Sequence, residues 1–394
     1  MSIDNKATAG VLGAGTMGTG IAQIASTFGH TVFLYDSYPG QLEKSKKGLE
    51  KILNRQVEKE RMTRSEVSGI LNRIHYVDHL NDFKKCDIVL EAIIEDLQAK
   101  KDQFARLEAI VSKQCILATN TSSLSIASIS SALKKPERFL GAHFFNPAPI
   151  MKLVEIIPGI STPDSITQSA KQLIDSWKKV TVLVKDTPGF IVNRVARPFY
   201  GEALRIYEEG IADAPTIVWA MKEIGGFKMG PFELMDLIGL DVNYKVTESV
   251  FEAFYYDPRF KPSFAQKRMV EAGRLGKKSG IGFYNYQNPE MNAEPDTNEK
   301  LGQTIFNRIL AMLINEAADA VYMNVASVRD VDLAMKNGVN YPKGLLEWCD
   351  EIGVENVLAT MQDLRDFYSE ERYRPNPLLM KIMQSGTDFY RSKS

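Results

Sequence analysis

The sequence is poor in the features that mark several protein classes. It has three cysteines, Cys86, Cys115 and Cys349, far apart and odd in number. Neither a disulfide framework nor a metal-ligand spacing can be built from them, and a reducing compartment is expected. No run of eighteen apolar residues occurs, so no membrane-spanning helix and no membrane partner are expected. A dominant charge is missing too. The 48 Lys and Arg balance 49 Asp and Glu, leaving a net charge of -1. That lacks the basic footprint of a nucleic-acid binder, and no nucleic-acid partner is expected. Residues 1–6 carry no signal peptide's apolar stretch, and a cytoplasmic location is expected. Only four histidines are present: His30, His75, His79 and His143.

What is present has a clear order. A chain of 394 residues exceeds one compact core, and two or three domains are expected. The N-terminal third alternates two periodicities. Apolar runs at 10–12, 31–35, 88–92 and 116–119 read as buried strands. Residues 16–28 carry Met17, Ile21, Ile24, Ala25 and Phe28 at helical spacing, and Gly29 reads as a stop. The charged stretch 41–72 predicts two helices. Further strands are expected at 141–145, 153–157 and 181–184. This alternation predicts an α/β fold with a Rossmann-type, doubly wound, mostly parallel sheet. Asp186-Thr187-Pro188-Gly189 breaks the pattern, with Asp186 and Pro188 read as the cap and first turn of a helix. Beyond it only helices are expected.

The helical part repeats itself. Glu202, Ala220-Met221-Lys222, Gly230, Asp236 and Gly239 recur as Glu316, Ala334-Met335-Lys336, Gly344, Asp350 and Gly353, each at an offset of 114 residues. Asn193-Arg194 maps in the same way onto Asn307-Arg308. So many matches at one offset predict two tandem all-α helical domains joined by the polar stretch 288–299. The predicted domains are 1–187, 188–287 and 299–394.

Gly13-Ala14-Gly15-Thr16-Met17-Gly18 is a G-x-G-x-x-G between a predicted strand and a predicted helix. The first glycine permits a tight turn, the second admits a pyrophosphate to the backbone, and the third lets helix and strand pack closely. Thr16 and Met17 open the helix whose free N–H groups would meet the phosphates. Asp36 closes the next strand, 18 residues after Gly18, where a carboxylate accepts from the adenosine ribose. A carboxylate there would repel a 2′-phosphate, so the expected cofactor is NAD. The bland alternative is a glycine turn without a ligand.

NAD alone does not name a reaction. His143 stands among aromatic residues on a predicted strand, and Glu155 is a charge inside an apolar one. Oxidising an alcohol requires a base for the hydroxyl proton, and imidazole suits that task. A neighbouring carboxylate would orient the ring, provided the two strands run side by side. Taken singly, each residue has an ordinary reading. His143 could be a satisfied core histidine, Ser122 a turn former, and Lys59 part of a solvated helix face. His30 reads as structural, and His75 and His79 as solvated in a polar connection.

The segments Asn120-Thr-Ser-Ser-Leu-Ser, His143-Phe-Phe-Asn-Pro, Met151-Lys-Leu-Val-Glu155, Asp186-Thr-Pro-Gly-Phe-Ile-Val-Asn193-Arg194, Gly230-Pro-Phe-Glu-Leu and Gly276-Lys-Lys-Ser-Gly-Ile-Gly-Phe-Tyr284 lie in order over residues 1–286. With them the sequence resembles the L-3-hydroxyacyl-CoA dehydrogenases, including the short-chain 3-hydroxybutyryl-CoA enzymes. The resemblance implies that His143 is the catalytic base and Glu155 its orienting partner. It implies that Ser122 bonds the substrate oxygen and that Asn193 helps to hold the substrate. Glu95, Lys100, Asn120, Ser122, Asn146 and Lys278 would contact NAD or shape its pocket, and Lys59 would meet the CoA moiety. A second CoA-contact position, serine in some relatives, is Ile52 here.

The implied reaction is the NAD-dependent interconversion of (S)-3-hydroxyacyl-CoA and 3-oxoacyl-CoA on short chains. Two other readings stay open: a dehydrogenase of a free hydroxy acid such as L-gulonate, and a non-catalytic crystallin-like relative. The partner expected is a small acyl-CoA. Single-copy relatives are expected to dimerise through the helical domain. A duplicated copy would supply that contact within one chain, favouring a monomer over a homodimer. Asn307, with no second nucleotide domain beside it, is expected to be silent.

Overall fold

The structure, a computed structural model, describes residues 7–390 and divides into two compact units, Met1–Thr187 and Pro188–Ser394. The expectation resting on residues 1–6, and the last four residues of the second helical copy, lie outside the described residues.

The first unit is an eight-stranded sheet in the order β3-β2-β1-β4-β5-β6-β7-β8. Its strands are β1 Ala9–Leu12, β2 Val32–Tyr35, β3 Ile74–Val77, β4 Ile88–Glu91, β5 Ile116–Thr119, β6 Phe139–Phe144, β7 Leu153–Pro158 and β8 Val180–Leu183. All neighbours run parallel except β6 and β7, which pair antiparallel. Helices α1 Thr16–Thr27, α2 Gln41–Glu58, α3 Arg64–Asn72, α4 Leu97–Ile110, α5 Ile126–Ser130 and α6 Asp164–Ser176 connect them. The central strands are apolar on both sides because helices cover both faces, and β1, β4 and β5 are buried throughout. The strand order reverses at β1, between β2 and β4. This is the switch point at whose carboxyl edge ligands bind in such sheets.

Two readings of the sequence are corrected. His75 lies on β3, an edge strand with only Ile74 buried, rather than in a connection. It is exposed, as expected; so short and polar an edge strand carries too little alternation to be seen. Asp186 does not cap the helix after Pro188. Its carboxylate accepts from Ile126 N at 3.1 Å and Ala127 N at 2.8 Å, capping α5. Side-chain caps of this kind act across 60 residues as easily as across three, and sequence spacing cannot register that. His30 is buried, its Nδ1 2.9 Å from Ala7 O, in agreement with a structural role.

The second unit is helical. Its first stretch holds α7 Val192–Val195, α8 Arg197–Glu208, α9 Ala214–Trp219, α10 Pro231–Ile238, α11 Leu240–Ala253 and α12 Phe264–Glu271. After a mostly exposed segment of turns and two short 3-10 helices come α13 Glu299–Tyr322, α14 Val328–Gly338, α15 Leu345–Ile352, α16 Val354–Tyr368 and α17 Pro377–Ser385. Helix α13, capped by Asn298, packs along α8. The 114-residue offset reappears as a swap of ion pairs. Arg194 Nε donates to Glu316 at 2.7 Å, and Arg308 Nε donates to Glu202 at 3.0 Å. Each arginine therefore meets the other repeat's copy of the same glutamate. The repeat also extends further than the sequence match. Asp236 accepts from Phe283 N and Tyr284 N at 3.1 and 3.0 Å, and Asp350 accepts from Phe389 N and Tyr390 N, both at 2.9 Å. The Phe-Tyr pair sits 106 residues on rather than 114, because the second stretch is shorter before it. Among the described residues no helix is long and apolar enough to cross a membrane.

Candidate active site

The glycine loop follows β1, and its three glycines answer to three geometries. Gly13 has φ +102°, and a Cβ there would lie 2.5 Å from Ala92 O. At Gly18 a Cβ would lie 1.7 Å from Gly13 O, so helix and loop meet backbone to backbone. Beside Gly15 a Cβ would meet nothing within 4 Å. This space lies over the start of α1, whose N-terminus has no side-chain cap and no acidic residue in its first turn. Unpaired N–H groups there favour an anion. Thr16 is exposed at that end, and Met17 packs against the core. Asp36 follows β2. Its Oδ2 accepts from Ala14 N at 2.7 Å and its Oδ1 from Tyr38 N at 2.8 Å, so the carboxylate braces the loop. The cavity beside it, about 400 Å³, is bordered by Asp36, Glu43 and Asp78. These residues fit the diphosphate and ribose of NAD; Lys46 also lines the cavity, and the three carboxylates outnumber it, which disfavours an added phosphate.

A buried charge network stands at the end of β4. Glu91 accepts from Ile93 N and Lys100 Nζ, both at 2.7 Å, and from Thr119 Oγ1 at 2.6 Å. Glu91 and Lys100 are fully buried. Lys100 Nζ lies 3.3 Å from Glu95, whose Oε1 accepts from Thr121 Oγ1 at 2.7 Å and Ser122 N at 2.8 Å, with Ser122 Oγ at 3.2 Å. Burial alone would push the Glu95 carboxyl up. The Lys100 ammonium and the hydrogen bonds from Thr121 and Ser122 outweigh it and hold the group below its ordinary value. Glu95, Lys100 and Ser122 are thus joined in one network. Glu91 was missed in the sequence, although it gave the signal used for Glu155, a charge within an apolar run.

The next strand carries the histidine. In the antiparallel register of β6 and β7, His143 stands directly opposite Glu155. Their side chains meet, Nδ1 to Oε2, at 2.7 Å, with His143 6% exposed and Glu155 0%. An ionised carboxylate only accepts, so in this contact Nδ1 is the donor. Phe145 packs on the ring at 4.4 Å. Asn120 links the two regions, since its Oδ1 accepts from Phe144 N at 2.8 Å.

Other predicted residues stand apart. Asn146 is exposed in the turn after β6, and Lys59 and Ile52 are exposed on or just beyond α2. Asn193 and Lys278 belong to the second unit. Asn193 is half-buried on α7, and Lys278 Nζ donates to Asp241 at 2.7 Å. Asn307 is exposed on α13 and accepts from Gln303 at 2.7 Å.

Comparison with known proteins agrees with these features. The family model "3-hydroxyacyl-CoA dehydrogenase, NAD binding domain" matches residues 8–187. The model of that family's C-terminal domain matches 189–286 and 305–390. The chain is 37% identical to the 3-hydroxyadipyl-CoA dehydrogenase of Escherichia coli K12, over 97% of this chain and 99% of that protein. It is 42% identical to the mitochondrial hydroxyacyl-coenzyme A dehydrogenase of Sus scrofa, over 70% of this chain and 90% of that one. Among solved structures, a 3-hydroxybutyryl-CoA dehydrogenase from E. coli K12 superposes with a TM-score of 0.90 at 36% identity, covering 97% of this chain and 100% of that one.

Proposed function

Since the chain belongs to the 3-hydroxyacyl-CoA dehydrogenase family and is an NAD-dependent oxidoreductase of that class, we propose that it interconverts short-chain (S)-3-hydroxyacyl-CoA and 3-oxoacyl-CoA, with His143 as general base. The observation that carries this reading is the buried His143–Glu155 pair at 2.7 Å. Bound NAD supplies the hydride acceptor at its nicotinamide. The remaining work belongs to the chain. His143 Nε2 takes the proton of the 3-hydroxyl as the carbonyl forms, and Glu155 stabilises the resulting imidazolium through Nδ1–H. In the reductive direction the same nitrogen returns the proton.

Ser122 bonds the substrate oxygen, held in place by Glu95. Asn193 holds the substrate from the helical unit, and Lys59 meets the CoA end. Gly13, Gly15, Thr16, Met17, Gly18 and Asp36 hold the dinucleotide, with Glu95, Lys100, Asn120, Ser122, Asn146 and Lys278 shaping its pocket. The short-chain assignment rests on likeness to relatives named for 3-hydroxybutyryl-CoA and, with a carboxylated chain, for 3-hydroxyadipyl-CoA.

The helical unit is proposed to be two copies, 188–287 and 299–394, following a nucleotide domain at 1–187. The swapped pairs Arg194–Glu316 and Arg308–Glu202 support an internal pseudo-dimer. They favour a monomer in solution, and a cytoplasmic location is proposed for it. The test is NADH oxidation by the purified full chain with acetoacetyl-CoA, compared with free acetoacetate. Turnover of the thioester and none of the free acid is expected. No activity on any 3-oxoacyl-CoA would remove the proposal.

A further inference from the structure

Among the described residues, buried arginines come with carboxylates, with one exception. Arg138 lies 3.9 Å from Glu108. Arg194 meets Glu316 and Asp319, Arg205 meets Glu202, and Arg308 meets Glu202 and Glu209. Arg197 is 7% exposed and, among the described residues, has no carboxylate within ion-pair distance. Its Nη1 donates to Thr247 Oγ1 at 3.2 Å, its guanidinium carbon lies 4.9 Å from the Tyr200 ring, and its Nε has no partner. The Tyr341 hydroxyl, within electrostatic reach of Arg197, is buried and also without a partner. Two donors are therefore desolvated without an acceptor in one cluster. Leaving a buried cation uncompensated costs several kcal/mol, far more than a stacking contact with tyrosine returns. A desolvated guanidinium with an open donor favours an incoming anion.

The position of Arg197 indicates which anion. Only Ala196, whose backbone stays in the right-handed helical region, separates α7 from α8. Asn193 and Arg197 are four residues apart and share one helix face, separated by about one turn, roughly 5.4 Å. Asn193 is the residue proposed to hold the reacting end of the substrate. In a six-carbon dicarboxylyl chain, three carbon–carbon bonds separate the carbinol carbon from the terminal carboxyl carbon, a comparable span.

We infer that Arg197, assisted by the Tyr341 hydroxyl, determines specificity for a 3-hydroxyacyl-CoA whose acyl chain ends in a free carboxylate. The inference rests on the proposed 3-hydroxyacyl-CoA reading and extends it from the reacting carbon to the far end of the chain. It also gives the second helical copy, which supplies Tyr341, a part in substrate selection.

The experiment compares 3-hydroxyadipyl-CoA with 3-hydroxyhexanoyl-CoA, equal in length and different only at the terminus. The full-length wild type is expected to favour the carboxylated chain in kcat/KM by roughly tenfold or more, the scale of one charge-assisted pair. Arg197→Met should bring that ratio close to one, and Tyr341→Phe should lower it about threefold. Arg197→Lys, which keeps the charge, should retain part of it. Should Arg197→Met fail to fold, the wild-type ratio and Tyr341→Phe still decide. Equal use of the two substrates by the wild type, or a ratio unmoved by either substitution, overturns the inference and leaves the dehydrogenase reading intact. Turnover of neither thioester overturns both.

Discussion

The two units bury charge to different ends. In the first, Glu91 closes β4, Lys100 lies in the first turn of α4, and His143 and Glu155 face each other across β6 and β7: one network holds the Ser122 turn, and the other holds the His143 imidazole. In the second, Arg194, Arg308, Glu202 and Glu316 face each other across two copies of one helical pattern. The ionic groups are of similar kinds in both units. What separates them is what each network holds in place: in the first unit it fixes residues proposed for the reaction, and in these pairs of the second it ties one helical copy to the other. A buried ion pair is therefore weak evidence for a site until its last partner is known.

That distinction can be broken by substitution. The largest effect is expected at His143. His143→Ala should lower kcat by roughly 10²–10⁴ with little change in NAD affinity, while the variant stays folded. Steady-state kinetics with a dinucleotide titration and a thermal scan check this, and full turnover in the variant would take His143 out of the mechanism. Arg308→Ala should do the reverse. It leaves Glu202 with Arg205 alone, takes the arginine from Glu209 and removes two tyrosine contacts, and should cost about 3 kcal/mol of stability in a denaturant titration. Activity per folded molecule should survive. A loss of activity without loss of stability would show that this pair serves the site after all.

How much of this the sequence could yield follows from the range of each interaction. The glycine loop and Asp36 were legible because a strand, a turn and a helix must follow within a few residues of each other. The His143–Glu155 pair was legible as two misplaced polar residues, although their alignment depended on an antiparallel register that periodicity does not specify. The role of Asp186 on α5 and the edge strand β3 were not legible. One is a cap made by a residue 60 positions away, and the other has a single buried side chain to mark it. Arg197 gave no signal, because an arginine on a helix reads as exposed by default and its missing counter-ion exists only in three dimensions.

The smallest effect concerns pH. The Glu95 carboxyl is held below its ordinary value of 4.5 in the folded chain, so the unfolded chain binds its proton first as acid is added. The stability this gives is complete above about pH 4.5 and is lost as pH falls through the depressed folded value. Glu95→Gln should flatten that part of the acid limb in a pH series of thermal melts. An unchanged limb would mean that the Lys100–Glu95–Ser122 network adds nothing to folding.

The most direct test of the central claim is Glu155→Gln, assayed for kcat in the reduction of acetoacetyl-CoA by NADH. The substitution keeps the shape of the side chain and removes the negative charge beside His143 Nδ1. A fall in kcat on the order of 10²-fold or more is predicted, with the KM for NADH held within about threefold. A kcat within about twofold of the wild type would contradict the claim that this buried pair is the catalytic base of the enzyme.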